Sequence, residues 1–428
     1  MIAVHPSFPR YTGNNPRVPV YNLTPNLPAC MHRFFDTSPI SPSGRYGAFL
    51  QLPDEYRLPQ PGGTAGIVLV DLEKGPESAR VVYETRGWEH QMGANINWGA
   101  GDDELVFNDV DSDSWTPFGV RLNPHTGASS RFPKGVYHLS PDGKLAAVCS
   151  LEKMRRTQFG YGVVIPDDKV GPNGEMPEDD GLYIVDVESG EVRTFVSIAD
   201  LHRKAAVPSS PDDFAGGWHY GFHAKWNFQG DRLIFTTRWV PAVEGREWYG
   251  HRDRGTRYSV FVLKPDGTGI HNAVPWKYWT KGGHHINWFP DGEKLSMNLG
   301  YFRHLRGEGG LDMVSVNPDG SDIGPITTAV PGSGHPSVHP DGRHILADVY
   351  AHSKAFVVDG TTPLRWIDYI EGTEEELVRF HSSPEVDDNT MRVDPHPAWT
   401  RDWRYVTFNS FIDGTRRVLL ADMRELVS

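Results

Sequence analysis

Nineteen histidines occur in this chain of 428 residues, and six of them share one place in a repeating pattern. His32, His90, His223, His285, His335 and His396 each stand a few residues upstream of a punctuating turn. A neutral imidazole is a metal ligand and a general base near neutral pH, and a protonated one is a general acid. Several imidazoles in one pocket bind metal, move protons, or do both. A single buried histidine usually only hydrogen-bonds a backbone carbonyl, so the weight rests on the shared position. Arginine is the second ingredient. Arg33 follows His32, Arg238 follows the strand after His223, and Arg252, Arg254 and Arg257 crowd the stretch before Val260. Arg303 and Arg306 flank His304. Guanidinium groups bind carboxylates through paired hydrogen bonds and keep their charge. In a chain of net charge −13, such clusters suit a small acidic ligand and speak against nucleic acid or an anionic membrane as partner. Trp88, Trp218, Trp226, Trp239, Trp248 and Tyr301 offer flat apolar faces to sugar rings, although Trp226 also suits packing inside the fold.

Positioning these residues requires elements that repeat as they do. Seven turns punctuate the chain: Ser41–Gly44, Gly99–Asp103, Ser140–Gly143, Phe228–Asp231, Phe289–Gly292, His339–Gly342 and Thr400–Trp403. Proline presets φ for a turn, Asp tolerates the bend, and Gly supplies positive φ. After each turn an apolar strand begins, at Tyr46, Glu104, Lys144, Arg232, Lys294, His344 and Tyr405. Partner strands follow at Ile67–Asp71, Phe118–Leu122, Leu182–Asp186, Val260–Leu263, Asp312–Val316, Ala355–Asp359 and Val418–Asp422. Seven small antiparallel units in one order predict an all-β chain, a seven-bladed β-propeller forming a single domain over 1–428. Insertions are expected at 151–181, 197–220, 239–257 and 360–393, each rich in Gly, Pro or charge. Innermost strands run beside the central axis, so histidines at their starts converge on one mouth of the channel. The third unit departs from the pattern, with Tyr137 and His138 closer to its turn.

Other chemistries lose support. No Gly-x-Ser-x-Gly, no phosphate-binding Walker sequence and no His-Glu-x-x-His occur. The two cysteines, Cys30 and Cys149, form no Cys-x-x-Cys and fit a reducing compartment. No apolar run is long enough to span a membrane, and the opening residues lack a secretory pattern, so a cytoplasmic location is expected.

With those residues in view, the chain resembles the oligogalacturonate lyases, polysaccharide lyase family 22. Leu23–Pro25 with His32, Arg33 and the turn at Gly44 resembles that family's opening blade. Gly221–His223 before Gly230, His285 before Pro290–Gly292, and His335 before Asp341 resemble its histidine-bearing blades. Asp394–Trp399, the most specific segment, resembles its His-Pro-His-Pro-Ser-Phe stretch. The resemblance implies a propeller that cleaves short uronic-acid oligosaccharides by β-elimination with a divalent metal, typically Mn²⁺. It puts His285 at the base position and His335 and His396 at metal-ligand positions. Asp394 replaces a ligand His, and Met391 stands where the family has a ligand Gln; Ca²⁺ or another oxygen-preferring ion therefore stays open beside Mn²⁺. Arg257 is nearest to the family's catalytic arginine. His32, Arg33, His223, Arg238 and Arg303 are expected at the substrate. Two other readings use the same funnel: a hydrolase or epimerase acting on an acidic sugar, and a non-catalytic binding platform.

Overall fold

The computed structural model describes residues 2–242, 255–305, 310–350, 356–382 and 389–427. Seven four-stranded antiparallel sheets form a seven-bladed β-propeller. Blade one has its innermost strand at Cys30–Met31 and continues through Tyr46–Gln51, Ala65–Asp71 and Arg80–Thr85. The innermost strands of blades two to six are Asn97–Trp98, His138–Leu139, Gly217–Trp226, Gly283–Trp288 and Ser337–Val338. Blade seven runs Ala398–Trp399, Tyr405–Ile412, Thr415–Asp422, and is completed by Val20–Asn22 from the start of the chain, Val20 pairing with Ala421. That closure joins the two ends of the polypeptide in one sheet.

The turns act as their residues suggest. In blade three Gly143 takes φ 78°, and Asp142 accepts hydrogen bonds from the Ser140 hydroxyl and the Lys144 amide. This local chemistry fixes the register of the strand pair that follows. Second strands are sandwiched between blades: Leu105–Val110 is buried throughout, its polar Asn108 and Asp109 included. Outer strands face solvent, as Ser129–Pro133 does on all but Phe132. The apolar core accordingly lies between blades, with Leu50 and Ile67 of blade one packed in one cluster with Phe107 and Val120 of blade two.

Two expectations need correction. The stretch 360–393 is not an insertion along its length, because Thr361–Asp368 and Thr373–His381 are the outer strands of blade six. The partner strand expected at Ala355–Asp359 therefore begins later; Val358 makes only an isolated bridge to Thr361. The stretch 151–181 is a loop with short helical turns at Leu151–Arg156 and Asp167–Lys169, and 197–220 carries the helix Ile198–Lys204 before entering blade four. No helix among the described residues is long and apolar enough to cross a membrane.

Candidate active site and metal centre

Four of the six repeat histidines meet around one aromatic ring. After Cys30–Met31 the first blade does not continue along its edge; residues 32–36 turn into the channel, and Phe34 is fully buried there. Its ring lies 5.4 Å from His223, 5.5 Å from His285, 5.3 Å from His335 and 4.7 Å from His396. Irregular backbone aims these imidazoles inward. His285 and His396 adopt φ of 63° and 48°, in the left-handed region that side chains rarely take. The blade-four and blade-five strands shift register beside His223 and His285. Such bulges re-aim side chains and cluster at functional sites.

His335, Asp394 and His396 each offer a ligand atom within 4.8 Å of the others, the one such group of three among the described residues. Their other contacts fit a metal. His335 Nδ1 bonds the Asp348 carboxylate at 2.9 Å, and His396 Nδ1 donates to the Arg33 carbonyl at 3.0 Å. Both bonds fix the tautomer that leaves Nε2 with a lone pair, the arrangement that orients metal-binding histidines. Each Nε2 is buried without a hydrogen-bond partner. Two unpartnered imidazole nitrogens beside a carboxylate are costly to bury alone and suit a divalent cation. Burial pushes His335 down to about 3 and His396 well below the usual imidazole range, so both are neutral. Burial also pushes Asp348 up to about 6, which leaves it ionised at neutral pH. Arg392 ion-pairs with Asp394 at 2.7 Å, and Met391 contributes only its carbonyl, to Arg416.

His285 joins this group to open space. Its ring is 3.8 Å from that of His335 and hydrogen-bonds the Tyr350 hydroxyl through Nε2, while Nδ1 has no partner. Burial, then the neighbouring His335 and His284, hold His285 neutral, well below its ordinary value. It lines a cavity of about 240 Å³ together with His223, Arg238, Tyr258, Tyr350 and Arg392. Arg238 sits against the Phe222 ring and donates to Gln158 at 2.8 Å. His223 bonds the Tyr137 hydroxyl.

Other residues singled out from sequence lie elsewhere. Arg33 does not face the cavity; it is 3% exposed, paired with Asp36 and donating to Asn97. Lys225 completes that buried group at 2.9 Å from Asp36. Arg257 is off the cavity wall, its guanidinium stacked between Trp239 and Trp276 at 4.7 and 4.5 Å. Arg303 is exposed on the short helical turn Arg303–Leu305. His32 is buried beside His396, and His90 packs on Trp88. Trp88 and Trp239 donate to the Gly63 and Phe214 carbonyls, Trp218 packs against Tyr220 and Val240, and Tyr301 lies on Tyr278. Arg252, Arg254, Arg306 and Trp248 lie outside the described residues. Sequence reasoning missed Phe34, Asp348, Tyr350 and Arg392. Arg392 carried a signal, two residues before Asp394 and so on the same side of an extended chain. Asp348 carried another, a polar residue at the strand position that Asn108, Asn298 and Asn409 hold in other blades.

No protein-family model matches the chain, and no curated protein sequence matches it. Among solved structures it is similar to an oligogalacturonate lyase from Vibrio parahaemolyticus, with a TM-score of 0.63 at 15% identity over 97% of this chain and 96% of that one. An oligogalacturonate lyase in complex with manganese gives 0.63 at 16% identity over 100% of both chains. The β-propeller domain of the Trilobed protease from Pyrococcus furiosus gives 0.51 at 12% identity over 93% of this chain and 96% of that one. At such identities the likeness establishes the propeller.

Proposed function

We propose that this chain is a distant oligogalacturonate lyase, cleaving uronic-acid-containing oligosaccharides by metal-assisted β-elimination. The observation that carries the reading is His285: a neutral imidazole packed on a metal-type donor group and facing a cavity that also holds two guanidinium groups. His335, Asp394 and His396 would hold the cation, and their nitrogen and hard-oxygen donors favour Mn²⁺, with Ca²⁺ less suited to the imidazoles. A cation bound there would neutralise charge on the uronate carboxylate as it develops.

The chain's own residues supply the rest. Arg238 and Arg392 replace Arg257 as carboxylate clamps, because they line the cavity and Arg257 does not. The C5 proton next to the carboxylate is poorly acidic, since its carbanion adds to an existing negative charge. In the tautomer protonated on Nε2, His285 donates to Tyr350 and has a lone pair on Nδ1. That lone pair takes the C5 proton as the C4–O bond breaks and the C4=C5 bond forms. Burial holds Tyr350 protonated. Its hydroxyl proton passes to the departing oxygen and is replaced by the proton on His285 Nε2. The ligand of this reading is an acidic oligosaccharide, with no role for nucleic acid or membrane, in a cytoplasmic protein.

The test incubates metal-loaded protein with a panel of galacturonate and glucuronate oligosaccharides. Ultraviolet absorbance of the 4,5-unsaturated product is followed with and without chelator. Absorbance that rises and is abolished by chelator is the expected result. Cleavage without absorbance would indicate hydrolysis, and no turnover of any uronate would overturn the lyase reading.

A further inference from the structure

Two histidines of the cavity wall each bond a buried tyrosine, and they do so through different nitrogens. His285 uses Nε2, toward Tyr350, and His223 uses Nδ1, toward Tyr137. Blades four to seven supply the imidazoles around Phe34, whereas blade three supplies Tyr137, one residue before its innermost strand His138–Leu139. The two hydroxyls differ in their surroundings. Tyr350 has a second ring nitrogen in reach, Nδ1 of His284 at 3.5 Å. Tyr137 is fully buried, and among the described residues its hydroxyl has His223 Nδ1 as its one hydrogen-bond partner.

A hydroxyl carries one proton, and burying that proton away from an acceptor is costly. Tyr137 therefore donates and His223 Nδ1 accepts. Burial, with Asp36 nearby, holds Tyr137 protonated. Burial, then the Lys225 and Arg238 charges, hold His223 neutral. A neutral imidazole whose Nδ1 accepts carries its proton on Nε2. That N–H belongs to the cavity. His223 is 7% exposed and lines the cavity, and its Nε2, unlike those of His335 and His396, is not sealed within the protein. The ring is held in place: Phe34 stacks on it at 5.4 Å and Phe222 meets it at 4.3 Å. The Nε2 proton is also held. Losing it would draw the Tyr137 proton onto Nδ1 and leave a buried tyrosinate, and gaining a second would charge a buried ring.

His223 is thus a donor on the wall where His285 is an acceptor. Arg238 and Arg392 line the same cavity. Three groups bearing N–H suit a carboxylate, whose oxygens only accept. Donors fixed before reaction stabilise an oxygen on which charge develops. We propose that Tyr137 is a positioning residue, whose hydroxyl locks His223 in the tautomer that presents Nε2–H to the cavity as a fixed donor to the uronate carboxylate. The role at the carboxylate rests on the lyase reading; the locked proton does not.

The experiment labels the histidine nitrogens of the full chain, held metal-free by chelator, and reads proton–nitrogen correlations by magnetic resonance. The His223 signals are those lost in His223→Leu. A proton on Nε2 and a bare Nδ1 are expected, unchanged across the ordinary imidazole range, and digalacturonate should shift the Nε2–H signal. Tyr137→Phe keeps the ring and removes only the hydroxyl, and should bring the second tautomer into the spectrum. In metal-loaded protein it should lower kcat about fivefold with little change in KM, the worth of one hydrogen bond. His223→Leu should cost about 10²-fold. Adding Tyr137→Phe to His223→Leu should cost nothing further, whereas a merely structural tyrosine would cost the same in both backgrounds. Near-ultraviolet circular dichroism confirms the fold of each variant. A proton on Nδ1, the wild-type tautomer persisting alone in Tyr137→Phe, an Nε2–H signal indifferent to digalacturonate, or equal costs in both backgrounds would each overturn the proposal. A chain that shows the lock but turns over no uronate would count against the lyase reading and leave the lock standing.

Discussion

The two mouths of the channel are made from opposite ends of the same innermost strands, yet they differ in chemistry. At one mouth stand His335 and His396, just before their strands, and His223 and His285, within theirs beside a register shift, with Arg238, Arg392 and Tyr350 next to them. At the strand ends stand Trp98, Trp226, Trp399, Trp403 and Phe228. The backbone explains the difference. Register shifts beside His223 and His285, and positive φ at His285 and His396, free these side chains from the two-residue alternation and turn them to the axis. Strand ends run into tight turns of fixed geometry, so their side chains keep the packing positions between blades. Irregular backbone thus carries the titratable groups near the cavity, and regular backbone carries aromatic packing.

The comparison breaks most sharply at His285. His285→Ala should lower elimination by roughly 10²–10⁴-fold, the worth of a positioned base. Initial rates of ultraviolet-absorbing product would measure it, and a variant that kept its rate would remove the titratable mouth from the chemistry. Next comes the choice of arginine. Arg238→Ala should cost about 10²-fold in kcat/KM, as loss of a charge-stabilising donor does. Arg257→Ala should cost about twofold, because that guanidinium is stacked on Trp239 and Trp276 away from the cavity. The opposite ranking would return the role to the blade-four strand edge. A smaller effect is expected at Asp348. Asp348→Asn should weaken Mn²⁺ binding about 10–100-fold, since the carboxylate orients His335 and raises its basicity. Titration calorimetry with the metal alone reads this without any turnover.

The blades were legible because each carries its own turn and strand pair, a local signal repeated seven times. Closure by Val20–Asn22 was not, because three residues without an adjacent turn give no period to detect. Blade six misled for a related reason. Residues 355–358 have the apolar run, but the strand is Thr361–Asp368, with Pro363 inside it, where proline ordinarily argues against a strand. At the site the repeat located the histidines, since equivalent positions converge whatever the loops do. Phe34 and Tyr350 belong to no repeated motif, so no pattern marks them. Asp348 does have counterparts, in Asn108, Asn298 and Asn409, which hold neighbouring backbone from the same place in blades two, five and seven. Arg33 shows the converse. Its neighbour His32 made it attractive, but the turn of residues 32–36 into the channel directs it to Asp36.

The smallest expected effect concerns protons and the metal-free protein. Burial holds His32, His223, His285, His335 and His396 below the ordinary imidazole value. The unfolded chain protonates these rings near pH 6.5, whereas the folded chain does not until lower pH. Below that value the unfolded state binds more protons, so stability falls as pH falls and rises toward pH 6.5. Asp348 opposes this. Burial lifts it to about 6 from 3.8, so the folded state holds a proton that the unfolded state has released, and its share of stability is lost as pH rises through about 6. Five imidazoles outweigh one carboxyl, and between about pH 6 and 6.5 they act nearly alone. The strand-end mouth contributes one such ring, His138, pushed down to about 4 by burial. Calorimetric melting in chelator should therefore show Tm rising by on the order of a few degrees from pH 5 to 6.5, then levelling. His223→Gln, at the polar mouth, should reduce the slope just below pH 6.5, because it removes one ring that the folded state keeps neutral. A flat or falling profile would mean that the imidazoles are charged in place, and a charged His285 has no lone pair with which to take a proton.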